Sequence, residues 1–236
     1  MKVAILGAMD QEIALLTQRI ETLTTDTLQH LTVYRGMVGE IEVFIVKCGI
    51  GKVASAVATT LLIQQYQPDY VVNTGSAGGF DPRLSVGDIV IASGVKHHDV
   101  DITHFGYELG QVAGNFPTVF GCDQRLIDAA QKAMQTLPTL KSIEGLIYSG
   151  DAFIGDDNTV MQLKQHFPDM SAVEMEGAAI GQTCHLLNTP FIVLRSLSDI
   201  AGKSSTVSFE KYIETAGQHS AALVLEMLKT LENTSN

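Results

Sequence analysis

Short apolar runs recur along this chain, and they end in a glycine or a carboxylate instead of trailing into a polar turn. Lys2 to Leu6 stops at Gly7, Tyr70 to Thr74 at Gly75, and Ile143 to Ser149 at Gly150. Ser171 to Glu174 runs straight into a second acid at Glu176, and Phe191 to Ser196 leads to Asp199. Apolar runs this short, without alternation, are the pattern of strands buried on both faces. Thr32 to Met37, Glu42 to Lys47 and Asp88 to Val95 add three more strands. Segments with helical spacing lie between them. Asp10 is placed to cap a helix with Ile13, Leu15, Leu16 and Ile20 on its inner face. Further helices are expected over Val53–Tyr66, Gln124–Leu137, Val160–His166, Glu176–Leu187 and Phe209–Leu231. Strand–helix alternation with near-hairpin pairs predicts an α/β fold, a mixed central β-sheet flanked by helices. In such sheets ligands bind beyond the carboxyl ends of strands. Three of those ends carry carboxylates: Asp10 and Glu12, Glu174 and Glu176, and Asp199.

At 236 residues, with no Ser/Pro/Gly-rich divider, the chain reads as one domain over 1–236 whose last few residues are disordered. The formal net charge of −11 argues against nucleic acid and against an anionic membrane surface. Cys48, Cys122 and Cys184 have no C-x-x-C spacing and read as buried, reduced thiols of a cytoplasmic protein. The N-terminus is too short for a signal peptide before Asp10 and Glu12, and no apolar run reaches about 18 residues, so no span is expected.

Several motifs are set aside. Gly49-Ile50-Gly51-Lys52 is not a P-loop, and Gly202-Lys203-Ser204 has Leu197 where the leading glycine belongs. Gly7-Ala8-Met9 lacks the dinucleotide spacing. His97, His98, Asp99, Asp101 and His104 fit no structural zinc pattern, so neither metal nor cofactor is expected. The polar 96–121 connection is long for a loop, which is more often functional than accidental.

Five segments are distinctive in combination: GAMDQE at 7–12, NTGSAGG at 73–79, SGDAF at 149–153, AVEMEGAAI at 172–180 and RSLSDIAG at 195–202. In this order and at these separations the chain resembles the 5′-methylthioadenosine/S-adenosylhomocysteine nucleosidases, from about Lys2 to the last helix. The resemblance implies a nucleoside phosphorylase-like fold, a homodimer and cleavage of an N-glycosidic bond to adenine.

That reaction needs a proton for the leaving base, stabilisation of an oxocarbenium-like ribose, and an activated water on the opposite face. By resemblance Asp199 protonates N7, oriented by Ser198. Taken alone, Ser-x-Ser-Asp before Ile-Ala is equally good capping chemistry. Glu12 is the candidate base for water, in a helical first turn where the dipole favours its ionised form; a Glu chosen only for that dipole would look the same. Ser76 and Arg195 would hold the water and the carboxylates. Glu176 would accept from the ribose 2′- and 3′-hydroxyls, with Met175 packed on the sugar face and Glu174 in support. Phe153 would stack on adenine while the Ile154 backbone reads its edge beside Ala77 and Gly78. Met9, Ile50 and Phe209 would line a 5′-alkylthio pocket, with Ile102 and Phe105 reaching in from a partner subunit.

The superfamily divides on the nucleophile. A phosphate dianion needs Arg or Lys, yet Asn73 stands where phosphorylase relatives commonly carry Arg, and Met9, Asp10 and Glu12 include no cation. Only Lys52 and Arg195 are near. Hydrolysis is favoured over phosphorolysis, and the presence of Glu12, Glu176 and Asp199 together over a nucleoside sensor without catalysis. The 5′ substituent is open among methylthio, homocysteinyl and futalosine-type groups.

Overall fold

In a computed structural model, residues 1–201 and 205–235 are described, so the Gly202-Lys203-Ser204 motif lies outside the described residues. The elements run β1 (Lys2–Gly7), α1 (Asp10–Arg19), β2 (Glu21–Leu28), β3 (Leu31–Val38), β4 (Ile41–Lys47), α2 (Lys52–Tyr66), β5 (Tyr70–Gly79) and β6 (Ile89–His97). A single 3₁₀ turn (Thr103–Phe105) precedes β7 (Phe120–Gly121), α3 (Gln124–Met134), β8 (Ser142–Ser149) and α4 (Asp157–His166). The chain closes with β9 (Met170–Glu174), α5 (Gly177–Leu186), β10 (Phe191–Ile200) and α6 (Ser205–Ser235).

The strands form one mixed sheet in the order β10-β6-β8-β9-β5-β1-β4-β3-β2, with β7 on β6. Because β10 also pairs with β5, the strands β5, β10, β6, β8 and β9 close into a ring, and β1, β4, β3 and β2 extend from it as a wing. Ring closure departs from an open sheet, but Met9, Ile50 and Glu176 still follow the carboxyl ends of β1, β4 and β9, where a ligand site was expected. Gly75–Gly79 and Leu197–Asp199 are strand, not turn, because each finds a neighbour across the ring: Ser76 pairs with Ser196, Ala77 with Leu197 and Gly78 with Asp199.

Burial explains the continuous apolar runs. Val3 and Ile5 of β1 face a cluster built with α1, α3 and α6, including Ile13, Leu16, Leu126, Leu223 and Leu228. Ala4 and Leu6 face the other side, against Ala58 and Leu62 of α2 and Ile180 and Cys184 of α5. With helices on both faces, neither face of the strand can be polar. The exception is β2. Its sequence, Glu-Thr-Leu-Thr-Thr-Asp-Thr-Leu, is exposed almost throughout and pairs only with β3, so it has no buried face to announce it.

Asp10 does not cap α1. Met9 occupies the cap position, Asp10 is the first helical residue, and its carboxylate pairs with Lys47 Nζ at 2.8 Å. The orphan amides at the start of the helix go instead to Glu12, whose Oε2 accepts from Ala8 N at 2.7 Å and Met9 N at 3.2 Å. The three cysteines are free thiols; Cys48 and Cys184 are buried and Cys122 is partly buried. Among the described residues, no helix is long and apolar enough to cross a membrane.

Candidate active site

A cavity of about 290 Å³ opens where α1 begins, where β9 ends, and against the middle of the Gly75–Gly79 and Arg195–Ile200 segments. That volume lies just below the roughly 300–1,000 Å³ typical of small-molecule sites. Its walls include Met9, Glu12, Ile50, Ser76, Ala77, Gly78, Phe153, Glu174, Met175, Glu176, Arg195, Ser198, Asp199 and Phe209. Fourteen of the seventeen residues singled out from the sequence thus meet in one hollow. A larger groove of about 840 Å³, around Phe80, Arg83 and Lys164, contains none of them.

The floor is a carboxylate network around one cation. Arg195 is 1% exposed. Its Nη2 donates to Asn73 Oδ1 at 2.6 Å, to Glu176 Oε2 at 3.2 Å and to Glu174 Oε2. Its Nη1 lies 3.9 Å from Glu12 Oε1 and 3.3 Å from the Ser76 carbonyl. Burial on its own would lower the affinity of this guanidinium for its proton, but Glu174, Glu176 and Glu12 outweigh it and hold the pKa above the ordinary value.

Each carboxylate has distinct partners. Glu12, 1% exposed, is held at four points: Ala8 N and Met9 N on Oε2, and on Oε1 Ser76 N at 2.9 Å and Ser76 Oγ at 3.0 Å. Glu174 accepts from Ser149 Oγ and from the first amides of α5, Glu176 N at 3.1 Å and Gly177 N at 2.8 Å. It is a helix clamp as much as a cavity wall. Glu176 accepts from Gly51 N at 2.8 Å. Burial pushes the Glu176 carboxyl up to about 7, against the pull of Arg195 and with the push of Glu174 and Glu12. The Cys48 thiol beneath is raised by burial and by the same Glu176 and Glu12, so it is inert.

Asp199 lies inside β10, 2% exposed, which removes the capping reading. A β-bulge explains its aim. The register slips by one between Leu197 and Asp199, so that Ser198 has no counterpart on β5. Neighbouring residues on a regular strand point to opposite faces, but a bulge lets Ser198 and Asp199 both line the cavity. Ser198 Oγ donates to Asp199 Oδ1 at 2.9 Å. Two glycines make room. A Cβ on Gly75 would overlap Arg195 Nη1 and sit 2.5 Å from Glu12 Oε1, and one on Gly78 would lie 3.2 Å from Asp199 Oδ2.

The mouth is apolar. The Phe153 and Phe209 rings meet edge to face at 5.7 Å, with Met9, Met175 and Ile50 nearby on the wall. Three expected residues are not on this wall. The Ile154 side chain belongs to a separate core cluster with Tyr148 and Phe167, which leaves its backbone the only part able to face a ligand. Ile102 and Phe105 sit beside and within the 3₁₀ turn, and Phe105 is 76% exposed. Conversely, Ala8 and Val173 line the cavity without having been singled out. Asn73, weighed above only as a position without a phosphate-binding cation, and Ser149, read only as part of a longer segment, both hold the network. Isolated polar residues in apolar strands were the signal for them.

The His-rich stretch is engaged elsewhere. His97 Nε2 meets Gln182 Oε1 at 3.0 Å, and both Asp99 oxygens take Lys52 Nζ at 2.7 Å. Among the described residues, no group of three or more His, Cys, Asp or Glu side chains is arranged to hold a metal ion.

Comparison with known proteins covers nearly the whole chain. The model of the phosphorylase superfamily matches residues 2–229. A 5′-methylthioadenosine/S-adenosylhomocysteine nucleosidase of Hydrogenovibrio crunogenus is 50% identical over 233 residues, 99% of this chain and 100% of that protein. The crystal structure of such a nucleosidase from Colwellia psychrerythraea, in complex with adenine, superposes with a TM-score of 0.95 at 50% identity, covering 98% of this chain and 96% of that one. The enzyme from Neisseria meningitidis, in complex with methylthio-immucillin-A, has a TM-score of 0.95 at 43% identity, covering 97% and 99%. With sequence and fold in agreement from end to end, this chain belongs to the phosphorylase superfamily, within its family of 5′-methylthioadenosine/S-adenosylhomocysteine nucleosidases.

Proposed function

We propose that this chain hydrolyses the N-glycosidic bond of 5′-methylthioadenosine and S-adenosylhomocysteine, releasing adenine and the 5-thio-substituted ribose. The observation that carries the reading is the convergence of Glu12, Glu176 and Asp199, from three distant parts of the sequence, on one nucleoside-sized hollow. Asp199 in its neutral form gives a proton to purine N7 as the C1′–N9 bond breaks, and its Ser198 hydrogen bond sets the carboxyl's rotation. Glu176 accepts from the ribose diol and stabilises the developing positive charge. Glu12 takes a proton from the water whose oxygen bonds to C1′.

Glu12 is saturated at rest, since a carboxylate offers about four acceptor positions and all are taken. Three of its donors are backbone amides and cannot turn away. Ser76 Oγ can rotate, and doing so opens a lone pair on Oε1 to the water. Ser76 therefore gates the base.

Hydrolysis, and not phosphorolysis, follows from the charges. Lys52 is held by Asp99, and Arg195 is enclosed by three carboxylates, so neither offers a phosphate dianion an open cation. Met9, Ile50 and Phe209 suit an apolar 5′-alkylthio tail. The exposed Phe105, with Ile102, supports a homodimer in which the 96–121 segment completes the neighbouring pocket. The acidic charge and free thiols support a cytoplasmic enzyme, and the one continuous sheet a single domain; the thio-sugar released is then available for recycling toward methionine.

The test is adenine release from 5′-methylthioadenosine with and without phosphate, on the native chain and on Asp199→Asn. The native chain is expected to release adenine and free sugar without phosphate, and the variant to lose at least about 10²-fold in kcat while retaining part of its inhibitor affinity. A strict phosphate requirement with a ribose 1-phosphate product would falsify the hydrolytic reading.

A further inference from the structure

The turn between β4 and α2 brings Gly51 N to Glu176 Oε1 at 2.8 Å, and the backbone alone does not hold it there. Gly51 has a φ of +93°, a conformation that favours glycine, and a Cβ on it would lie 2.8 Å from Asp151 Oδ1. Three contacts pin the turn from outside the cavity. Asp151 Oδ1 accepts from Lys52 N at 2.8 Å, capping the first turn of α2 from a different loop. Lys52 Nζ lies 2.7 Å from both oxygens of Asp99. Asp99 Oδ2 in turn accepts from Asp151 N at 3.0 Å, closing a cycle among three loops. The Lys52 and Asp99 side chains are only 21% and 29% exposed, so this is not a solvated surface pair of negligible weight.

We infer that Asp99 and Asp151 are positioning residues: through Lys52 they latch the Gly49–Lys52 turn so that the Gly51 amide stays on Glu176 and fixes the carboxylate that receives the ribose hydroxyls. The inference rests on the nucleosidase reading of Glu176. Neither aspartate lines the cavity, so the latch acts on the diol without touching substrate. With the latch open, Glu176 loses its one backbone donor and is left between Arg195 and two other carboxylates. It then holds the diol less well, while Asp199 and Glu12, built on other elements, keep their geometry.

The experiment measures binding of two probes to native, Asp99→Ala and Asp99→Asn chains. One is a 5′-methylthio C-nucleoside of an adenine analogue, whose carbon–carbon glycosidic bond cannot be hydrolysed. The other is its 2′,3′-dideoxy counterpart. Both variants are checked by thermal unfolding, and Asp99→Asn keeps the side-chain volume should the alanine variant fold poorly. The diol-bearing probe is expected to weaken about tenfold in the variants, the equivalent of about 1.4 kcal/mol, and the dideoxy probe by less than about twofold. Equal weakening of both probes, or of neither, overturns the latch. A native chain that binds neither probe overturns the nucleoside reading itself, and the latch with it.

Discussion

Replacing Glu12 by Gln removes one charge and keeps the shape, so the consequences can be worked from its four hydrogen bonds. The amide has one accepting oxygen and one NH₂ group. If the NH₂ faces α1, it confronts two backbone donors, Ala8 N and Met9 N. If it faces β5, it confronts Ser76 N, while the Ser76 hydroxyl can turn and accept. The second orientation is the less costly and strands one buried N–H, which costs about 1–3 kcal/mol. The lost attraction to Arg195, 3.9 Å away, is offset by no longer burying a third carboxylate beside it. We therefore expect Glu12→Gln to lower unfolding stability by about 1–3 kcal/mol in urea titrations. Its kcat for adenine release should fall by roughly 10²–10⁴-fold, as for loss of a general base. Binding of a non-hydrolysable nucleoside should change little, because Glu12 serves the water and not the sugar. A variant within tenfold of native kcat would remove Glu12 from the base role. A variant more stable than native would show that the hydrogen bonds to Glu12 are weaker than its cost of burial.

Two further outcomes follow from the same network. The Glu176 carboxyl is raised from 4.5 to about 7 in the folded chain, so between those values the folded state binds more protons than the unfolded one. The contribution of Glu176 to the ligand-free protein therefore favours folding at low pH and is lost as pH rises from about 4.5 to 7; diol binding runs the other way, tightening as Glu176 ionises. Calorimetry across that range should find both trends flattened in Glu176→Gln, and unchanged slopes in that variant would assign the titration to another group. Gly75→Ala places a methyl group against Arg195 Nη1 and Glu12 Oε1, both pinned, so we expect a loss of about 1–3 kcal/mol and of most activity; a native-like melting curve and rate would contradict the packing.

Much of the site was legible because chemistry left few other readings. Acids at the ends of apolar runs are costly unless partnered, and Arg195 among Glu12, Glu174 and Glu176 is that partner. Other features had no local signal. β2 is exposed except at Leu28, so no periodicity marks it. Asp10 has the side chain of a cap, yet Glu12 takes the orphan amides because its carboxylate reaches back over the turn. Gly-Ser-Ala-Gly-Gly reads as a turn by composition and becomes a strand only because β9 and β10 supply hydrogen-bond partners across the ring.

The residue types and their order determined by themselves an α/β chain with carboxylates poised at strand ends, since apolar run length and the cost of buried charge are local properties. Closure of the ring between β5 and β10, the bulge that turns Ser198 and Asp199 into the same hollow, and the pairing of Gly51 with Glu176 were decided only by the tertiary structure. Each depends on hydrogen bonds between segments far apart in the chain, and no stretch of sequence encodes its partner's position.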